Sequence, residues 1–308
     1  GTHNLHEFVG HFFAEAEAEL AMFAVDVAIN QCVFNPYKSV RGYVAHGNKI
    51  QLFCHGFIIA LGPGCVKMGI MKTLKEYLAE AGQNGTALGH FNISNLVQLK
   101  GVISAVKKAG VPVMIGTSEG EVDFIGFKMA RAMIDAAKEE TGLAIFLNAD
   151  HFHSFEKAKE AIDAGYDSVL IDCSKMPYEE NLDITRRVVE YAKSKNPEIS
   201  VEGELGYLVT DSSKIYKEKI EIPPESLTKP EEALKYVNET GVDRFAPAVG
   251  NLHGIAANEP KLDFELIKKL RAVLPSDCAM VLHGGSGIPD DQMREAVKLG
   301  FNNVHVST

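Results

Sequence analysis

The stretch AIFLNADHFHSFEKAKEAIDAGYDSVLIDCS, residues 144–174, decides the fold. It holds two apolar runs, LAIFLNA (143–149) and DSVLID (167–172). Between them SFEKAKEAIDAGY spaces apolar residues by three and four and stops at a glycine, the pattern of an amphipathic helix. Strands that are apolar throughout, rather than alternately, are buried on both faces. The unit therefore reads as strand, covering helix, parallel strand. The first strand ends in Asp150 and His151, with His153 two residues further on. An acid and two imidazoles at a strand end can hold a metal, move a proton or cap the next helix.

The same alternation runs outward from this unit. TALGHF (86–91), VPVMIG (111–116), EISVEG (198–203), DRFAPAV (243–249), CAMVLH (278–283) and NNVHVS (302–307) bring the apolar runs to eight. Eight such strands with intervening helices predict an α/β fold, a (β/α)8 TIM barrel whose strand C-termini all face one mouth. A doubly wound open sheet would carry a GxGxxG turn after its first strand, and none is there. The sequence stops at Thr308, directly after the eighth strand, so the barrel is expected to lack its final helix. Upstream, MKTLKEYLAEAGQNG reads as an amphipathic helix, and Met71 as the start of the barrel domain, 71–308. Residues 1–70 are an N-terminal extension without an assigned role. Within it FAEAEAEL could make a turn or two of helix. LFCHGFIIALGPGCVKMGIM is apolar, but His55, Gly62-Pro63-Gly64 and Lys67 make it a poor fit to a membrane span.

Of the 308 residues 46% are hydrophobic, ample for a large core, and the formal charge is -10. With no basic stripe, neither nucleic acid nor an anionic membrane is an expected partner. Five dispersed cysteines without a CxxC pair read as the reduced thiols of a cytoplasmic protein. The extreme N-terminus lacks a basic n-region, so no signal peptide is expected.

The strand ends collect the chemistry. Asn92 follows the first strand, Ser118 the second, Asp150-His151 the third, Asp172 the fourth and Glu202 the fifth. His253 lies in GNLHG after the sixth, His283 opens HGGSG after the seventh, and His305 lies in the eighth. A single histidine at a strand end is commonly a hydrogen-bonded loop residue. Three at one mouth, His151, His253 and His283, match the ligand count of an open zinc site. His153, past its strand, is expected to cap the helix or face solvent. In HGGSG, Gly284 and Gly285 allow close backbone approach, Ser286 adds a hydroxyl, and a helix starting near Pro289 offers its positive end. With VST (306–308) at the eighth strand, this is where barrels seat a phosphate. Asp150 suits proton transfer with a substrate hydroxyl. Asp172 and Glu202 fit a supporting role, a secondary metal position or helix capping.

Residues 71–308 resemble the class II, metal-dependent ketose-bisphosphate aldolases. The resemblance rests on FNISN, ADHFHSFEKAKEAIDAGYDSVLIDCS, VEGELG, VGNLHG and LHGGSGIP, in the family's order. It implies one catalytic Zn2+ on His151, His253 and His283, with Asp150 as proton donor and acceptor. It also implies a second, non-catalytic metal at Asp172 and Glu202, as in some members. The sugar-phosphate site implied takes in Asn92, Ser118, Gly254, Gly284, Gly285, Ser286, His305, Val306, Ser307 and Thr308, with a monovalent cation near the phosphate. The implied reaction is aldol cleavage of a ketose 1,6-bisphosphate by a homodimer or homotetramer. Fructose bisphosphate is the first candidate and tagatose bisphosphate the alternative. Two positions depart from the family. His305 stands where members usually carry Asn. YLVTDSSKIYKEKIEIPPES (207–226) replaces the loop that supplies the base for the triose-phosphate carbon, leaving Asp211, Glu218 and Glu221 as candidates. The rival readings are a zinc-dependent barrel hydrolase and a barrel that binds sugar phosphates without catalysis.

Overall fold

In a computed structural model the chain divides into two units, Gly1–Thr73 and Leu74–Thr308. The structure describes residues 72–210 and 214–307 and, within 40–70, the backbone of four strands. These are β1 (Val40–His46), β2 (Lys49–Cys54), β3 (Phe57–Gly62) and β4 (Cys65–Ile70), an antiparallel sheet in sequential order. Within the apolar stretch from Leu52 onward, the described residues are therefore strand. The helical turn expected in FAEAEAEL lies outside the described residues. Among the described residues no helix is long and apolar enough to cross a membrane.

The second unit opens with α1 (Leu74–Gln83) and continues as a closed parallel barrel. Its strands are β5 (Leu88–Asn92), β6 (Val113–Thr117), β7 (Ile145–Phe152), β8 (Ser168–Ile171), β9 (Ser200–Leu205), β10 (Arg244–Pro247), β11 (Ala279–Leu282) and β12 (Phe301–Val306). They pair in sequence order, and β12 returns to β5. The connections hold α2 (Leu96–Ala109), α3 (Glu119–Ile125), α4 (Phe127–Thr141), α5 (Phe155–Asp163), α6 (Tyr178–Lys195), α7 (Pro230–Thr240), α8 (Phe264–Val273) and α9 (Asp290–Lys298). Local chemistry sets their ends. The Asn95 side chain accepts from the backbone N–H groups of Val97 and Gln98 to start α2, and Gly110, with φ 67°, ends it. Ser154, not His153, caps α5.

Strand periodicity sorts the core into two layers. Leu147, Val169, Val201 and Phe245 pack outward with Ile134, Ile162, Val188 and Tyr236 of the helices. Their chain neighbours Asn148, Ser168, Ser200, Glu202 and Arg244 are buried polar residues. The Arg244 guanidinium is fully buried and meets Glu202 Oε2 at 2.6 Å, Asn148 Oδ1 at 2.9 Å, Asn303 Oδ1 at 3.0 Å and Ser200 Oγ at 3.1 Å. Nearly every donor of a charge that would otherwise be prohibitive to bury is used. The N-terminal end of the barrel is apolar. Leu74 and Leu78 of α1 lie there with Leu88, Met114, Phe146 and Ala279 from the strands. Asn302 donates to the Leu78 carbonyl at 3.1 Å and ties α1 to β12.

Candidate active site

At the C-terminal end of β7 the ladder with β8 slips. Ala149 pairs with Val169 but Phe152 pairs with Ile171, so Asp150 and His151 together oppose Leu170. In a regular strand these neighbours would face opposite sides. The extra residue, and a φ of +51° at His151, turn both side chains into one cavity. That cavity is lined by Asp150, His151, His253, Gly254, His283, Gly284, Ser286, His305 and Ser307.

Each of three imidazoles has one nitrogen engaged behind it. His151 Nδ1 donates to Asp172 Oδ2 at 2.8 Å, His283 Nε2 to Glu202 Oε1 at 2.7 Å, and His253 Nδ1 to the Thr210 carbonyl at 3.3 Å. The nitrogens left over point at one another. His151 Nε2 and His283 Nδ1 are 3.1 Å apart, and His253 Nε2 is buried without a partner among the described residues. One ligand atom from each of the three lies within 4.8 Å of the other two. Carboxylates around this point demand positive charge. Burial disfavours the imidazolium of His151, yet Asp150, Asp172 and Glu204 outweigh it and raise its pKa to about 10. A divalent cation would meet the same demand. Inward lone pairs, with outer nitrogens fixed by acceptors, are what a three-histidine metal site needs.

Asp150 sits beside these rings and is held on both sides. Burial opposes its charge, but His151, His305 and His90 together keep its pKa well below the usual carboxylate range. Oδ2 accepts from Asn92 Nδ2 at 3.0 Å, and the same amide donates to Glu121 Oε2 at 3.0 Å. Two carboxylates around one amide fix its orientation, so Asn92 Oδ1 is the atom left buried and unpartnered among the described residues. Ser118 serves this arrangement from behind: it caps α3 and donates its backbone N–H to Glu121 at 2.6 Å.

Opposite lies the glycine-rich loop. Gly284 has φ 76°, and a Cβ there would collide with the Leu252 carbonyl; one on Gly285 would lie 2.7 Å from the His305 carbonyl oxygen. Gly254, with φ 68°, crosses close beneath Gly287. Only glycine lets these strands of backbone stack. The Ser307 N–H donates to Ser286 Oγ at 3.3 Å, joining the loop to the end of β12 beyond Val306. The helix expected near Pro289 starts at Asp290, after a 3-10 turn over Gly285–Gly287. Thr308 lies outside the described residues.

The structure regroups one expected pair. Asp172 is not joined by Glu202. Its neighbour across His151 is Glu204, whose Oε2 lies 3.8 Å from His151 Nδ1. β9 runs on to Leu205, so both glutamates face inward two residues apart. Glu202, in register with Arg244, occupies the deeper layer. Burial, then the Asp172 charge, holds the Glu204 carboxyl well above its ordinary range. Burial also pushes Glu202 up, but Arg244, His305 and His283 together outweigh it and leave that pKa at about 2. His305 is deeply buried, stacked on His90 with ring centroids 3.7 Å apart. His153 is exposed at the rim, near Glu119 and Asp172. Of the loop candidates, Glu218 and Glu221 are exposed and Asp211 lies outside the described residues. Sequence reasoning missed His90, Glu121 and Arg244, and saw Glu204 at the end of the fifth strand without giving it a role. A charge inside the apolar run DRFAPAV was a signal for the last.

Comparison with known proteins agrees with this geometry. The family model described as fructose-bisphosphate aldolase class-II matches residues 72–308. The fructose-bisphosphate aldolase of Geobacillus stearothermophilus is 38% identical over 239 residues, 77% of this chain and 80% of that protein. Its counterpart from Staphylococcus aureus is 37% identical over the same shares. Among solved structures, the YdjI aldolase from Escherichia coli K12 is similar with a TM-score of 0.66 and 31% identity, over 76% of this chain and 81% of that one. With three inward imidazoles, an adjacent aspartate and a glycine cradle on one barrel mouth, the chain belongs to the class-II fructose-bisphosphate aldolase family.

Proposed function

We propose that the protein catalyses reversible aldol cleavage of a ketose 1,6-bisphosphate, with fructose 1,6-bisphosphate as the preferred substrate, to dihydroxyacetone phosphate and glyceraldehyde 3-phosphate. The observation that carries this is the convergence of three imidazole lone pairs beside Asp150 in a single cavity floored by glycine backbone. His151 Nε2, His253 Nε2 and His283 Nδ1 would hold one zinc ion. When bound, such an ion supplies a Lewis acid for the ketose carbonyl.

The chain's own residues do the rest. Asp150, kept anionic, takes the proton of the C4 hydroxyl in cleavage and returns it in condensation. The Asn92 amide orients that carboxylate and presents Oδ1 to a substrate hydroxyl. Gly254, Gly284 and Gly285 bring backbone against the C1 phosphate, and Ser286 and Ser307 complete its cradle. Asp172 and Glu204 support His151 from outside and suit a second cation. The exposed apolar side chains of Val97, Phe124 and Met129 are consistent with a homodimer or homotetramer, which sedimentation would check.

Steady-state cleavage of fructose and tagatose 1,6-bisphosphates, with metal content measured alongside, tests the proposal. About one zinc per chain is expected, with turnover that a chelator abolishes. His253→Ala should lose both the metal and the activity. If that variant kept zinc as tightly as the parent, the ligand assignment would fail; esterase turnover without aldol cleavage would sink the reaction.

A further inference from the structure

The imidazoles of the candidate metal site differ in what stands behind them. His253 Nδ1 faces a backbone carbonyl, that of Thr210. His151 Nδ1 donates to Asp172 Oδ2, and the other oxygen of Asp172 is held locally, by the Ser174 N–H at 3.1 Å and its hydroxyl at 2.6 Å. His283 is backed by a charge pair. Its Nε2 donates to Glu202 Oε1 at 2.7 Å, and Glu202 Oε2 lies 2.6 Å from Arg244 Nη1. Both side chains of that pair are fully buried, and Arg244 is not among the residues that line the cavity.

Stability alone does not account for the pair. Apolar side chains of similar volume often replace a buried ion pair without loss, so bracing the barrel needs no charge here. What the charge adds is direction. Three neutral side chains fix the guanidinium: Nε donates to Ser200 Oγ at 3.1 Å, Nη1 to Asn303 Oδ1 at 3.0 Å and Nη2 to Asn148 Oδ1 at 2.9 Å. They come from β9, β12 and β7, so the fork is locked to the barrel wall. Among the described residues Glu202 is the carboxylate within ion-pair distance of it. The fork thus captures Oε2 and turns Oε1 toward His283. His305 Nε2 lies 3.9 Å from the same Oε2, beyond hydrogen-bond reach. A ring that ligates a metal is neutral and carries one proton. Facing a carboxylate oxygen, that proton is on Nε2, and Nδ1 is a lone pair aimed inward.

We propose that Arg244, through its anchored fork, is a positioning residue for the metal ligand His283 and acts by way of Glu202. The inference rests on the proposed ligand set and not on the proposed reaction. Arg244 decides which atom at position 202 faces the ring, and that atom decides which ring nitrogen is open to the metal. Outer partners of ligating histidines are typically worth roughly 10- to 100-fold in metal affinity. Glu202→Gln exposes the chain of control. An arginine only donates, so the new amide turns its oxygen to Arg244 and its nitrogen to His283. An N–H donor there claims the Nε2 lone pair, moves the ring proton to Nδ1 and blocks the ligating atom. Removing the arginine as well frees the amide to flip and to offer its oxygen to Nε2 again.

The test is the zinc affinity of the full-length protein, read by competition with a chelator, with circular dichroism as the check on folding. Glu202→Gln should bind zinc roughly 10- to 100-fold more weakly than the parent. Adding Arg244→Met to that variant should recover most of the loss. A residue that merely braced the barrel could only lower the affinity when removed. If the folded double variant binds zinc no better than Glu202→Gln, or if Glu202→Gln binds as tightly as the parent, the positioning role is wrong. Should Glu202→Gln not fold, Arg244→Lys carries the test, because it keeps the counter-charge of Glu202 and loses the planar fork. Zinc binding weaker by about tenfold is expected of it, and parental affinity in folded Arg244→Lys would overturn the role. Zinc retained in full by His283→Ala would sink the ligand set and this inference with it. A parent that holds zinc without aldol cleavage would sink the proposed reaction alone.

Discussion

At the scale of single residues, Asp150 carries the sharpest expectation. Asp150→Asn keeps the shape of the side chain and removes its capacity to carry a proton. Cleavage should fall by roughly 10²–10⁴, while zinc content by metal analysis should hardly change. Loss of zinc, with the rate restored on resupply, would instead make Asp150 an orienter of His151. Glu121 offers a finer probe, because it touches Asn92 and not the cavity. Glu121→Ala should free the amide to rotate and lower kcat roughly tenfold, and Glu121→Gln should do less harm; equal rates for all three proteins would remove Glu121 from the account. How Asp150 and His151 come to share one cavity was not legible in the sequence. A strand end in Asp-His is visible; the bulge that turns both inward depends on the register with β8, which no local pattern encodes. Glu204 was visible at the end of the fifth strand, but which of the two glutamates joins Asp172 around His151 depends on how β9 lies against β7 and β8, which sequence does not encode.

At the scale of elements, all eight strands were legible, because a buried parallel strand must be apolar throughout and its covering helix must be amphipathic. What periodicity could not supply is how adjacent elements are tied. Asp167, between α5 and β8, is an example. Its Oδ2 accepts from Arg131 at 2.8 Å, from the Leu147 backbone N–H at 2.8 Å and from Lys138 at 3.3 Å. Burial alone would raise its pKa, but Lys138 and Arg131 prevail and lower it to about 2. A carboxyl with a depressed folded-state pKa contributes stability above its unfolded pKa, about 3.9, and the contribution is lost as pH falls toward 2. Thermal melts of the parent should therefore lose Tm between about pH 4 and pH 2 more steeply than those of Asp167→Asn. Parallel acid profiles would show that the ion cluster adds nothing.

At the scale of the whole molecule, the barrel has its own floor in α1 and its own interior network around Arg244. Family resemblance begins at residue 72, and α1 at Leu74. A protein starting at Met71 should consequently fold, bind about one zinc and keep its cleavage rate. Circular dichroism and metal analysis check this; loss of folding would show that residues 1–70 are needed by the barrel. The interior network also sets a limit on substitution. Arg244→Ala strands Glu202 without its counter-ion and should destabilise the protein by roughly 3–5 kcal/mol.

The bond from Asn302 to Leu78 spans 224 positions, and β12 pairs with β5 over a similar separation. Ring closure must therefore wait until β12 has left the ribosome. Until then β5 presents one unpaired edge and α1 an uncovered apolar face, both of which favour association with other nascent chains. Loop-closure entropy makes this joining step slow relative to forming each strand–helix unit. Yield on synthesis should thus be governed by the time spent as an open arc, and chaperones that shield that arc should raise it without altering the finished enzyme.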